Sequence, residues 1–248
     1  MVHLTPTSLI TGPKVTERWG RSIFIDTGAN GTTLAVSREV RIPRASVVVT
    51  LAAQELMRLS KNGDKADHIV LIGSDVDPTH HPDFREITDN LRELKNKWFP
   101  RAKLVLISDD PDLASAETRI ALGAYDFNVV RLESGTAKTY SAITGKKSTN
   151  LAQLIKYLTT VERVVVRAEI TRGKIDNSSP SEVKSWIKKL REVEPVEIQL
   201  STLKGKGKPS DKRLPVTKTA LEKVAEELGD EIGTTVNVFQ PGTVLEPV

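Results

Sequence analysis

The stretch Gly73-Ser74-Asp75-Val76-Asp77-Pro78-Thr79-His80-His81-Pro82-Asp83-Phe84 closes an apolar run, His68 to Ile72, and opens an amphipathic one. In a parallel α/β protein that kind of junction, at the carboxyl end of a strand, is where ligands bind. Asp75 and Asp77, with Asp109 and Glu169 further on, could serve as acids, bases or metal ligands, and Arg131 and Arg172 could hold a carboxylate or phosphate. For each single acid there is also a plainer reading, because carboxylates cap helices and accept from turn amides in any α/β protein.

Other constellations are weaker. His80 and His81, with Asp77 and Asp83 nearby, suggest a metal, but adjacent residues in an extended turn point in different directions. The only other histidines are His3 and His68, so a histidine-rich site would need distant residues. Thr144-Gly145-Lys146-Lys147-Ser148-Thr149 is only loosely similar to the end of a P-loop: Tyr140 holds the place of the earlier glycine and the segment follows a helix. Ser148 is expected instead to cap a helix through Leu151, Leu154 and Leu158. No serine occupies a G-x-S-x-G elbow, and no G-x-G-x-x-G follows a strand.

Elements that would position these residues alternate along the chain. Short, mostly β-branched runs at Ser22 to Ile25, His68 to Ile72, Lys103 to Ile107, Phe127 to Leu132, Arg163 to Ile170, Val196 to Leu203 and Thr235 to Phe239 read as buried parallel strands. Helical faces lie between them: Leu51, Leu56 and Leu59; Phe84, Ile87, Leu91 and Leu94; Val183, Trp186, Ile187 and Leu190; Leu221, Val224, Ala225 and Leu228. Asp110-Pro111 and Ser179-Pro180 read as helix starts, and Gly123 and Gly229 as helix ends. Thr27 to Ser46 is the longest stretch without a clear period. Repeated strand-helix units imply an α/β fold with a parallel sheet, barrel-like or doubly wound. In a barrel the strand ends would gather Asp26, Gly73 to Pro78, Ser108 to Asp110, Arg131 to Ser134, Glu169 to Gly173 and Thr202 to Lys206 into one polar rim.

At 248 residues the chain fits one α/β domain, residues 1–248, with residues 1–21 as an N-terminal extension. No apolar run approaches the about 18 residues of a membrane span, and Met1 to Pro6 does not read as a signal peptide, so a cytoplasmic location is the expectation. The chain has Cys 0, which excludes disulfides, thiolate zinc sites and cysteine nucleophiles. Its formal charge of +4 is no larger than the excess within residues 204–213, where Lys204, Lys206, Lys208, Lys212 and Arg213 face only Asp211. Such a basic loop could contact phosphate or RNA, and a solvated lysine and glycine connection has the same composition.

Taken in order, the pieces resemble the radical S-adenosylmethionine (radical SAM) superfamily. Gly12-Pro13 and Arg18-Trp19-Gly20-Arg21-Ser22-Ile23-Phe24-Ile25-Asp26 are similar to its GP…SRR.GRSLGIN-like opening, and Gly73 to Phe84 to its SGNGEPTLHPDF-type motif. Asp126 to Glu133 resembles the D.v..KLDA strand, with Arg131 for lysine and Glu133 for aspartate. Arg172-Gly173 with Asp176 to Pro180 resembles RG..DN(T/S).P, and Pro195 to Thr202 resembles P..VQ(I/L).T. The resemblance implies a partial (β/α)6 TIM-like barrel with parallel strands.

It also implies S-adenosylmethionine at the strand ends, held around Gly73, Ser74, Asp75, Asp77, Pro78, Arg131, Glu133 and Glu169. The family's C-x-x-x-C-x-x-C cluster motif, however, is absent, and Gly31 to Ile42 offers no thiolate in its place. A 4Fe-4S cluster is therefore not expected, and neither is reductive cleavage of S-adenosylmethionine. Arg38, Arg41 and Arg44 could supply guanidinium charge in that loop, which could equally be solvated. The expectation is a degenerate, cluster-less member that keeps a small-molecule cleft or serves a protein partner as a subunit. Non-radical acid-base or metal-assisted chemistry on the same rim, and a Cys-free engineered version of a radical SAM enzyme, are the alternatives.

Overall fold

The computed structural model describes residues 9–28, 34–35, 41–208 and 210–241. It comprises two compact units, Met1–Asn128 and Val129–Val248.

In the first unit, β1 (Ile10–Thr16), β2 (Gly20–Asp26), β3 (Leu34–Ala35) and β4 (Arg41–Ile42) precede α1 (Ala45–Lys61). After these come β5 (His68–Ile72), a single 3-10 turn at Pro78–His80, α2 (Phe84–Trp98), β6 (Lys103–Ser108) and α3 (Ala116–Leu122). The sheet order is β1-β2-β5-β6; β1 pairs antiparallel with β2, whereas β2, β5 and β6 are parallel. The apolar runs predicted as strands form them because both faces are covered: Ile69, Val70 and Leu71 have no exposed surface, nor do Ile87 and Leu91 of α2. Burying each such side chain is worth roughly 1.5–3 kcal/mol.

β7 (Phe127–Arg131) carries the chain across the boundary. The second unit continues with α4 (Ala137–Thr144), α5 (Thr149–Leu158), β8 (Val164–Glu169), β9 (Thr171–Gly173), α6 (Pro180–Val193), β10 (Glu197–Ser201), β11 (Arg213–Pro215), α7 (Lys218–Ile232) and β12 (Thr235–Val238). Here β10 runs parallel between β8 and β12, and β9 and β11 form a separate antiparallel ribbon. The fold is α/β with mostly parallel strands, as expected.

Several local expectations are corrected. Ile10–Thr16, within the stretch taken as an extension, is a sheet strand. Its Gly12, Pro13 and Lys14 disrupt any alternation, and its register with β2 is irregular between Thr11 and Lys14. On α1 the buried face is Ala45, Val48, Ala52, Leu56 and Leu59, and Leu51 is turned outward. Asp110-Pro111 starts no helix; α3 begins later, where Ser115 Oγ accepts from the Thr118 N–H. α7 passes through Gly229 and ends at Gly233, whose φ of +73° is the left-handed conformation that favours glycine. Ser148 does precede α5, but its side chain makes no capping bond.

Candidate functional site

In the first unit the strand ends converge on two carboxylates. Asp26 ends β2, and one of its oxygens accepts from the N–H groups of Gly28 and Ser74, both at 3.0 Å, while the other accepts from the Ser74 hydroxyl. The chain after β5 is thereby fastened to the chain after β2. Two glycines permit this closeness. A Cβ on Gly73 would lie 1.9 Å from the Val76 carbonyl oxygen, and one on Gly28 would lie 2.0 Å from the same atom.

Asp77 is the second fixed point. Its side chain accepts from the Thr79 N–H at 3.0 Å and hydroxyl at 2.7 Å, from the Ser108 hydroxyl at the end of β6, and from the Asp110 N–H at 3.0 Å. Thr79 Oγ1 in turn accepts from the Asp112 N–H at 2.8 Å. Pro78 is buried as the first residue of the 3-10 turn. The carboxylate of Asp77 therefore joins two strand ends and the loop after β6.

The histidines are also committed. His81 is 4% exposed; its Nε2 donates to the Pro43 carbonyl at 2.9 Å, and its Nδ1 accepts from the Asp83 N–H. His80 reaches the Asp110 carbonyl at 2.9 Å. Among the described residues no group of three or more His, Cys, Asp or Glu could hold a metal ion.

The second unit has a comparable centre at Glu133, whose side chain is 3% exposed. Its oxygens accept from Arg131 at 3.0 and 3.1 Å, from Arg213 Nη2 at 3.1 Å and from the Glu169 N–H at 3.1 Å. Buried Asn177 supports this group from behind. Its Nδ2 donates to the Glu133 and Glu169 carbonyls at 2.8 and 3.0 Å, and its Oδ1 accepts from the Thr171 N–H at 2.7 Å. Paired guanidinium and amide donors offset the desolvation of a carboxylate this deep.

The residues expected to bind thus fall into two groups. Asp77, Glu133 and Arg131 are engaged in bonds that hold the fold, and Ser74 is exposed with its polar groups turned to Asp26. The carboxylates of exposed Asp75 and half-buried Glu169 have no protein partner among the described residues. The sequence places Asp26 on the polar rim and Asn177 in the segment after Arg172-Gly173, but does not show the bonds by which each fastens its neighbours. Each is a short polar residue at a strand end or turn beside apolar runs, which marks its position but not its partners. Arg213, taken as part of the basic loop, belongs instead to the Glu133 cluster, because β11 returns it beside β9. Arg172 is exposed and donates from Nε to the Pro215 carbonyl. In the expected cluster loop, Arg41 and Arg44 are exposed at the entry to α1, and Arg38 lies outside the described residues.

No family model matches the sequence, and no curated protein does. Solved structures do match. A radical SAM methyltransferase from Sphaerobacter thermophilus aligns with a TM-score of 0.59 at 14% identity, covering 88% of this chain and 66% of that one. The fold is that of radical SAM enzymes. A domain of the pyruvate-formate lyase-activating enzyme from Bacteroides vulgatus aligns at 0.53 and 15% identity, over 70% of this chain and 99% of that one. SuiB of Streptococcus suis, solved with S-adenosylmethionine, aligns at 0.56 and 15% identity, over 83% of this chain and 45% of its own. This chain therefore spans under half the length of SuiB.

The radical SAM fold implies a 4Fe-4S cluster, and the donor chemistry of this chain does not fit one: it has Cys 0, and hydroxyl and aliphatic side chains do not replace thiolates. No helix among the described residues is long and apolar enough to cross a membrane.

Proposed function

We propose that this protein is a cluster-less radical SAM-like domain that binds a small, S-adenosylmethionine-like molecule at its strand ends without radical chemistry. The observation that carries this reading is the complete loss of cysteine from a chain that keeps the radical SAM fold. The S-adenosylmethionine bound to SuiB, which aligns with 83% of this chain, supplies the ligand class. In the first unit Asp75 keeps a carboxylate available for the hydroxyl or amino groups of such a ligand. The acid-base alternative is less well supported at Asp77, whose carboxylate is occupied by donors from Thr79, Ser108 and Asp110 that hold the loops together. A second SuiB structure is bound to the precursor peptide SuiA, and this favours a peptide or protein partner as the second reading.

Calorimetric titration with S-adenosylmethionine and S-adenosylhomocysteine tests the proposal. Without a cluster to hold the methionine end, both should bind with similar affinity. Silence toward both, or assembly of a stoichiometric iron-sulfur cluster on anaerobic reconstitution, would overturn it.

A further inference from the structure

With Arg213 turned inward, the basic loop gains other members. β9 and β11 pair so that Gly173 lies opposite Arg213 and Arg172 opposite Leu214. Continuing that register sets Lys174 beside Lys212, whose carbonyl accepts from the Ile175 N–H at 2.9 Å. Like charges facing each other across a ribbon are destabilising. The two local carboxylates bond to backbone amides and, among the described residues, form no ion pair with these lysines: Asp211 accepts from the Lys208 N–H at 2.6 Å, and Asp176 from the Ser178 and Ser179 N–H groups at 2.7 and 3.1 Å. Lys204, Lys206 and Lys208 continue the exposed surface, separated by Gly205 and Gly207. Those glycines adopt φ of +83° and +69°, so the residues that bend the loop are not the residues that carry its charge.

We propose that this ribbon, presenting Arg172, Lys174, Lys204, Lys206, Lys208 and Lys212, is a docking surface for the phosphate backbone of a double-stranded nucleic acid. Charge complementarity selects a polyanion. Protein interfaces take their energy from aromatic and apolar anchors, and residues 171–177 and 203–216 contain no Phe, Tyr or Trp. The same lack leaves single-stranded bases without a stacking platform, whereas a duplex has its bases already stacked and offers phosphates outward. Lysine point charges on a bent loop contact phosphates without reading sequence.

Fluorescence anisotropy with a labelled duplex of about 20 base pairs, over a salt series, reads this directly. If the six cations each neutralise one phosphate, the log-log salt slope is about −5, a loss of roughly a thousand-fold between 50 and 200 mM. Replacing Lys174, Lys206, Lys208 and Lys212 with Gln should flatten the slope to about −2 without lowering the melting temperature, since it relieves the facing like charges. Replacing the same four with Arg should preserve it. The inference is overturned by absent or salt-insensitive binding, by loss of binding in the Arg variant, or by tighter binding of oligouridine or a glutamate homopolymer of equal charge. Nucleoside titration reads a different site, so the two proposals fail separately.

Discussion

Ser108 donates its hydroxyl to both carboxylate oxygens of Asp77, at 3.0 and 2.8 Å, from a strand end 31 residues later in the chain. That bond makes Asp77 a brace between β5 and β6. Asp77→Ala should therefore unfold in urea with stability lowered by about 3 kcal/mol, since hydrogen bonds to a charged group are each worth about 1.5–3 kcal/mol and their donors would be left unmet. Asp77→Asn keeps one acceptor and should lose about half as much. Loss of ligand binding in the alanine variant would then report a collapsed loop, so Asp75→Asn is the cleaner probe of the cleft.

Gly73→Ala should prevent folding or lower the melting temperature steeply, because the added Cβ would lie 1.9 Å from a backbone carbonyl that cannot move without opening the turn. Gly63→Ala is the control. Gly63 has φ of +83° but nothing within 4 Å of a new Cβ, so the cost is about 1–2 kcal/mol of backbone strain. Thermal melts of the two variants separate steric closure from backbone strain.

Burial alone would push the Asp126 carboxyl up. The Leu104 N–H at 2.8 Å and the Arg92 guanidinium at 3.0 Å outweigh it and hold the group below its ordinary range. A carboxyl depressed in the folded state adds stability that is full above its unfolded pKa, near 4, and is lost as pH falls through the lower folded value. Urea denaturation of the native protein and Asp126→Asn should show the largest gap near pH 6 and a shrinking one below about pH 4. A constant gap would assign Asp126 a neutral hydrogen-bonding role.

Much of this architecture was legible because buried parallel strands need no polar alternation. The run at His68–Ile72 matched its strand residue for residue, and the α6 face of Val183, Trp186, Ile187 and Leu190 is buried as expected. β1 was not legible, since an antiparallel edge strand containing Gly12, Pro13 and Lys14 carries no periodic signal. Gly229 misled because a glycine within a helix and one ending it look alike locally; the positive φ belongs to Gly233. Within the candidate site, the polar rim at Gly73–Pro78 could be read, but which carboxylates were already spent could not. Asp26 meets Ser74 across 48 residues and Glu133 meets Arg213 across 80, and no local pattern encodes such pairings.

Glu133 and Arg213 supply the sharpest test of that distinction, because the charge count of residues 204–213 treats Arg213 and Lys208 as equivalents and the fold does not. Glu133 is 3% exposed in its side chain and Arg213 17%, so Arg213→Ala strands a buried carboxylate with Arg131 as its remaining ionic partner. The expected loss is about 2 kcal/mol, below the 3–5 kcal/mol typical of a fully broken buried pair because that second guanidinium stays. Lys208→Ala, at an exposed position, should fall within about 0.5 kcal/mol of the native protein. Glu133→Gln combined with Arg213→Ala should cost less than the sum of the single changes, since the glutamine removes the charge that the arginine was neutralising. Equal losses for Arg213→Ala and Lys208→Ala, or strict additivity in the double variant, would place Arg213 back among the solvated cations of the loop and leave Glu133 held by Arg131 alone.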